Sequence, residues 1–246
     1  MTQPAPDGLT AATDAELAEV QAEALYVMTP QGLLASVNDV GGPAPARCFL
    51  SRTRAAVRVW TSAELPAPTG AAIRAWAAAQ PPVDDLAEVA EIPEEVARLV
   101  ARHRPVSDTY IGPAFAVLGP LVATEVPGLR FEVCGPDRAE EFRDGFPELA
   151  ATLADRQPTV AAFDGNRPVG VCCSARVGRR ACEAGTATLA EYRGRGISPA
   201  LVTRWAELVR ATGRTALYST EWDNQASLAV ARRLGLSRYT VNISLY

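Results

Sequence analysis

The sequence predicts an α/β (α+β) protein built in two halves, and three observations carry that expectation. Residues 159–189 read as a hairpin followed by a third antiparallel strand. Residues 181–235 then read as strand, glycine-rich loop, helix, strand and helix. Ahead of both, the first 125 residues mix short strand-like and helix-like runs. At 246 residues the chain is long enough for one large domain or two modest ones, each with its own core. The expected division is an amino-terminal α/β domain over 1–125 and a second domain over 126–246.

Composition narrows the function classes. Hydrophobic residues make up 48% and charged residues 21%, which excludes a chain too polar to fold. Acidic residues outnumber basic ones 28 to 24, a net charge of -4, so no global positive field gathers nucleic acid or anionic lipid. Neither nucleic acid nor membrane is an expected partner. All 24 basic residues are arginine, which reads as codon bias. The five cysteines have neither zinc-site spacing nor the density of a secreted disulfide scaffold, so they read as small buried hydrophobes in a reducing compartment. No metal site is expected. The run Met1 to Gly8 lacks the basic start and apolar core of a signal peptide, and no stretch reaches about 18 apolar residues. The expected location is the cytoplasm.

Thr13 and Glu16 have the spacing of a capping box, and Leu17, Val20, Ala24 and Val27 follow at helical intervals, ending before Pro30. Residues 47–60 suggest two short strands around a turn near Arg54. Thr69 is placed to cap a short helix carrying Ile73, Trp76 and Ala77, and Pro93 to open another with Val96, Leu99 and Val100. From Tyr110 to Pro127 the Gly-Pro pairs predict a connection between halves rather than a continuous element.

In the second half Asp137 and Glu140 suggest a capped helix through Phe142, and Pro147 starts a further turn group ending near Asp155. Residues 159–163, the turn 164–166 and residues 169–175 form the hairpin. Residues 181–189 make the third strand, whose small side chains leave room for something to lie alongside. It feeds Arg193-Gly194-Arg195-Gly196-Ile197-Ser198, after which Leu201, Val202, Trp205, Leu208 and Val209 mark one helix face ending at Gly213. A strand over 215–220, a turn over 221–224 and an arginine-bearing helix to Gly235 follow.

The strand–loop–helix order matters chemically. A helix amino terminus has unpaired N–H groups and the positive end of the dipole, and glycines let those amides approach a bulky anion. The loop therefore reads either as a phosphate or pyrophosphate cradle or as an exposed turn with two arginines. It matches neither the P-loop spacing nor the Rossmann fingerprint.

Together these residues resemble the GNAT superfamily of N-acetyltransferases, whose acetyl-CoA motif reads Gln/Arg-x-x-Gly-x-Gly/Ala; here it is Arg193 to Ser198. The downstream signature, asparagine then tyrosine seven residues later then Leu-Gly-Phe, stands as Asn224, Ala231 and Leu234-Gly235-Leu236. The resemblance covers residues from about 130 to 246, nearly half the chain, and is closest to two-domain bacterial members with the GNAT domain at the carboxyl end. It implies a mixed, mostly antiparallel sheet flanked by helices, with acetyl-CoA wedged where two central strands diverge. It places Leu189 at the pantetheine arm, Arg193, Gly194, Arg195, Gly196, Ile197 and Ser198 at the pyrophosphate, and Asn224 where it orders cofactor and fold or else only caps the last helix.

The implied reaction is attack of a neutral amine on the acetyl thioester, which needs a base and, optionally, an acid for the departing thiolate. Glu183 matches the family's mid-strand carboxylate and is read as the base, or alternatively as a strand glutamate facing solvent or pairing with Arg180. The family's tyrosine acid is replaced by Ala231; Tyr218 is read as its substitute, or as packing, with unaided departure of the thiolate as the other option. His103 is read as a helix-end residue, and Trp222 and Asp223 as pocket or turn residues. The expected function is acetyl transfer from acetyl-CoA, a co-substrate, to a primary amine of a small molecule, without a metal, with the first half shaping the acceptor pocket. A non-catalytic acyl-CoA sensor and a protein N-terminal or side-chain acetyltransferase remain the alternatives, and a homodimer is an open option.

Overall fold

A computed structural model of the chain describes residues 12–122 and 124–246; the amino-terminal run 1–8 lies outside the described residues. Helix α1, Asp14–Leu25, opens with the expected capping box, Thr13 accepting from the Glu16 N–H while Glu16 accepts from Thr13. It stops two residues before Val27, which belongs to the strand β1, Tyr26–Met28, paired with β2, Leu34–Val37. Strands β3, Cys48–Arg52, and β4, Val57–Thr61, form the hairpin around Arg54. Helix α2, Ala67–Ala78, begins at Pro66, so Thr69 lies inside its first turn and caps nothing. Pro93 precedes α3, Glu94–Ala101, as expected.

The largest departure comes next. Thr109–Ala116, expected as a connection, is strand β5, and it lies between two others in the middle of the sheet. Gly112 and Pro113 misled the sequence reading because glycine and proline normally weaken central strands. Here each has a positional reason. A Cβ at Gly112 would lie 1.9 Å from the Thr220 carbonyl oxygen, so only glycine fits. Pro113 accepts from the Thr220 N–H at 3.2 Å but has no N–H to return, and the paired register ends one residue earlier, at Ala114.

The second half follows the prediction more closely. Strand β6, Arg130–Val133, precedes a 3-10 turn over Pro136–Phe142 that opens at Gly135 with no side-chain cap, so the Asp137–Glu140 capped helix is not formed. Helix α4 is Pro147–Thr152. Strands β7, Thr159–Asp164, and β8, Arg167–Val177, make the hairpin, and β9, Ala181–Thr188, pairs antiparallel with β8. Helix α5, Ile197–Ala211, strand β10, Thr215–Ser219, and helix α6, Gln225–Arg233, complete the expected series. The chain then adds β11, Ser237–Leu245, which the sequence reading left unassigned.

Nine strands form one sheet in the order β4-β3-β11-β5-β10-β9-β8-β7-β6. Every pairing is antiparallel except β10 with β9. The soft boundary near residue 125 falls between β5 and β6, and the sheet runs across it: β5, from the first half, sits between β11 and β10 of the second. The halves therefore share backbone hydrogen bonds, not only side-chain contacts.

Alternation along the strands gives the sheet two covered faces. One carries Cys182, Ala216 and Tyr218 together with Trp205, Leu201 and Leu228 from α5 and α6, and continues under α2 and α3 through Val241 and Ile243. The other carries Ala181 and Leu217 under α1, and Phe163, Val171 and Cys173 under α4 and the 3-10 turn. All five cysteines are buried and unpaired. Among the described residues no helix is long and apolar enough to cross a membrane.

Candidate functional site

The site follows from a fork in the sheet. Strands β9 and β10 run parallel only from Ala181–Thr215 to Glu183–Leu217; beyond that pair β9 continues to Thr188 while β10 ends at Ser219. The gap is flanked by two clefts that share Thr186 and Ala187.

The first cleft, about 560 Å³, lies on the α5–α6 side and is lined by β9, the loop after it and the outer face of α6. Gly194 and Gly196 hold φ of 76° and 80°, a conformation that side chains other than glycine's rarely adopt, and so turn the chain sharply into α5. Among the described residues, the N–H groups from Gly194 to Ser198 meet no acceptor. They point out of the amino terminus of a 15-residue helix. Ile197 is 2% exposed and anchors the turn in the core. The Ser198 hydroxyl is 3.1 Å from that of Thr188. Arg193 donates to the Thr188 carbonyl at 3.3 Å, and Arg195 to the Glu191 carbonyl at 2.9 Å while stacking over Tyr192. A Cβ at Gly196 would meet the Arg233 guanidinium at 3.3 Å, so this helix α6 arginine overhangs the loop. Asn224 lines the cleft and also caps α6, accepting from the Ser227 N–H at 3.0 Å. Leu189 packs against the core beside Gly145 and does not face this cleft.

The second cleft, about 440 Å³, lies on the α4 side, between Phe146, Leu149 and Thr152 on one wall and Val171, Cys173, Ala175 and Gly185 on the other. Its lining comes wholly from residues 145–187. The first half touches it through Asp39, whose carboxylate holds Arg156 at 2.8 Å and Arg176 at 2.9 Å. Burial pushes the Cys173 thiol up to about 11.

Glu183 stands at the last paired position before the fork and is 4% exposed. The Ser219 hydroxyl donates to its Oε1 at 2.6 Å, and the Gln21 amide to its Oε2 at 3.4 Å. Desolvation raises its pKa to about 7, against those hydrogen bonds and the charge of Arg176, which lower it. Arg180 is not its partner; that guanidinium pairs with Glu23 at 2.8 Å. Tyr218 points to the opposite face, packed in the core, with its hydroxyl 3.4 Å from the Ser227 carbonyl and its pKa raised by burial. Ala231, where the resemblance expects tyrosine, is 1% exposed. His103 lies exposed just past α3, and Trp222 is half-buried beneath Arg238; neither lines either cleft.

Sequence reasoning missed Arg233, Ser219, Gln21 and the apolar wall of the second cleft. Arg233 was within reach, since Ala226, Val230 and Arg233 recur at helical spacing on the face toward the loop.

Residues 128–236 match the sequence profile of the Acetyltransferase (GNAT) family. That segment, which holds both clefts and Glu183, is thus a GNAT domain, and the reaction class its family defines is acyl transfer. No curated protein matches the chain. Among solved structures, the chain is similar to a GCN5-related N-acetyltransferase-like protein from Streptococcus suis, with 13% identity, TM-score 0.49 and coverage of 85% of this chain and 87% of that one. It is also similar to a GCN5-related N-acetyltransferase from Sphaerobacter thermophilus, with 20% identity, TM-score 0.47 and coverage of 85% and 79%. A protein assigned to the GNAT family from Novosphingobium aromaticivorans aligns at 18% identity and TM-score 0.46, over 57% of this chain and 65% of that one.

Proposed function

We propose that this protein transfers an acetyl group from acetyl-CoA to the primary amine of a small molecule by direct attack on the thioester. The observation that carries the reading is the set of acceptor-less N–H groups from Gly194 to Ser198, opening on a cleft that ends at the fork beside Glu183. Those amides and the helix dipole suit a pyrophosphate, with Arg193, Arg195 and Arg233 adding charge at the rim. The edge of β9 from Thr186 to Thr188 follows the pantetheine arm toward the fork, while Leu189, turned into the core, takes no part. The amine enters by the second cleft, whose apolar walls and modest size fit a small substrate better than a protein chain.

Glu183 is the base that takes the ammonium proton. A carboxylate whose pKa is raised to about 7 is partly ionised at neutral pH and binds a proton well, which suits general-base work. Tyr218 remains the candidate acid, and its long contact to Ser227 leaves the hydroxyl weakly held. Much of the rate comes from holding amine and thioester together at the fork.

The test is coenzyme A release across a panel of primary amines, with Gly196→Asp and Glu183→Gln alongside. Gly196→Asp should abolish turnover by setting charge and bulk against the diphosphate. Calorimetry showing no binding of acetyl-CoA or coenzyme A to folded protein would overturn the reading. Ala231 in place of the expected tyrosine supports one rival, a non-catalytic acyl-CoA sensor. Tight acetyl-CoA binding without thiol release for any amine, and no effect of Glu183→Gln, would favour it.

A further inference from the structure

Glu183 lines neither cleft, so a proton bound for it needs a carrier. Its two oxygens are held very differently. Oε2 faces Gln21, a fully buried residue of α1 whose own Oε1 accepts from Asn242 at 2.8 Å, while Asn242 accepts from Ser51 at 2.7 Å. That side is closed by a buried chain leading away from the fork. Oε1 accepts from Ser219, which is only half-buried and is the last residue of β10. Ser219 alternates with Tyr218, so it lies on the α1–α4 face, the face that also carries Gly185 of the second cleft; it is outside that cleft's lining but more exposed than Glu183.

We propose that Ser219 is the proton relay between the acceptor amine and Glu183. As the amine approaches, one ammonium N–H proton passes to Ser219 Oγ while the hydroxyl proton passes to Glu183 Oε1. The serine is left a neutral hydroxyl, the amine neutral with a free electron pair, and the carboxyl protonated. The inference rests on Glu183 being the base. It also gives the first half a role, since Gln21 fixes the carboxylate so that Oε1 meets Ser219. The other groups facing Glu183 are Arg176 across from it on β8, Tyr110 on β5, whose hydroxyl lies against Ser219, and Tyr239 on β11, whose hydroxyl has no partner. No other hydroxyl both bonds the carboxylate and reaches partial exposure among the described residues.

Ser219→Ala, Ser219→Thr and Glu183→Gln test this with 2-phenylethylamine, an apolar primary amine suited to the second cleft, as acceptor. Ser219→Ala should lower kcat about 10²- to 10⁴-fold, the usual range for a proton-transfer group, while acetyl-CoA binds as in the wild type. It should also move the acid limb of the pH profile upward, and Ser219→Thr should restore both. Carbon-13 NMR of labelled glutamate reads the same point without any acceptor: the Glu183 midpoint should rise in Ser219→Ala and return in Ser219→Thr. An unmoved midpoint, or a Ser219→Ala pH profile that superimposes on the wild type while Glu183→Gln is inactive, overturns the relay and leaves the base standing. Full activity in Glu183→Gln overturns the base itself, and the relay with it.

Discussion

Asn242, on a strand that the second half adds last, donates its side-chain amide to Gln21 on the first helix at 2.8 Å, in the interior beneath Glu183. Removing either partner strands the other where water does not reach. Asn242→Leu and Gln21→Leu should each cost about 1–3 kcal/mol, and the double variant less than their sum. Urea denaturation of the four proteins measures the coupling.

Glu183 makes stability depend on pH in a defined direction. Its pKa is about 7 when folded against an ordinary 4.5, so the folded protein binds more protons between those values. The contribution is therefore fully present below about pH 4.5, falls as pH rises, and is lost above about 7, on the order of 3 kcal/mol in all. Glu183→Gln should abolish this term. Melting temperatures from pH 5 to 8 should fall for the wild type and fall less for the variant, other titrations being common to both.

At the carboxyl end of β10, Gly112 and Thr220 leave no space for a methyl group. Gly112→Ala forces backbone apart at a central strand, and overpacking of this kind costs about 1–3 kcal/mol or more. Thermal melting should show the loss, and coenzyme A release should drop with it because the displaced segment adjoins Ser219.

Ser198 offers opposite effects in one substitution. A carboxylate in the first turn of α5 favours the helix dipole by about 0.3–1 kcal/mol. The same charge repels a diphosphate. Ser198→Glu should melt slightly higher than the wild type and bind acetyl-CoA at least about tenfold more weakly, a difference near 1.4 kcal/mol by calorimetry. Equal binding would remove the loop from the site.

The buried Arg47 guanidinium donates to the carbonyls of Arg104 at 2.5 Å, Pro105 at 2.8 Å and Tyr246 at 2.6 Å. It closes the end of the β3–β11 ladder. Arg47→Met leaves the Arg104 and Pro105 carbonyls without this donor, while the Tyr246 carbonyl keeps the Ser107 N–H, and should cost about 1–3 kcal/mol for each stranded acceptor in chemical denaturation.

Local chemistry made much of this legible. The hairpin at 164–167, the glycine turn into α5 and the cap at Asn224 are each decided within a few residues, and each stands where expected. What depended on distant partners was not legible. Gly112 and Pro113 look like a break until Thr220 is seen against them. Residues 237–245 do carry a strand signal, since Tyr239, Val241, Ile243 and Leu245 alternate with Arg238, Thr240, Asn242 and Ser244, but nothing local says that the strand pairs with Cys48–Arg52 on one side and Thr109–Ala116 on the other. At the site, Glu183 could be read from its place before the loop, whereas Ser219 and Gln21 could not, because strand register and helix docking decide which side chains reach it.

Strand β11 lies between β3 and β5, so a segment made well after both must slot between them. Translation at about 5–20 residues per second leaves β5 without its inner neighbour until residue 245 clears the ribosome. During that interval two apolar edges stand open, a state that invites chaperone capture. A fragment cut at the family segment, 128–236, would lack β3, β5 and β11 altogether and leave β10 as its open edge.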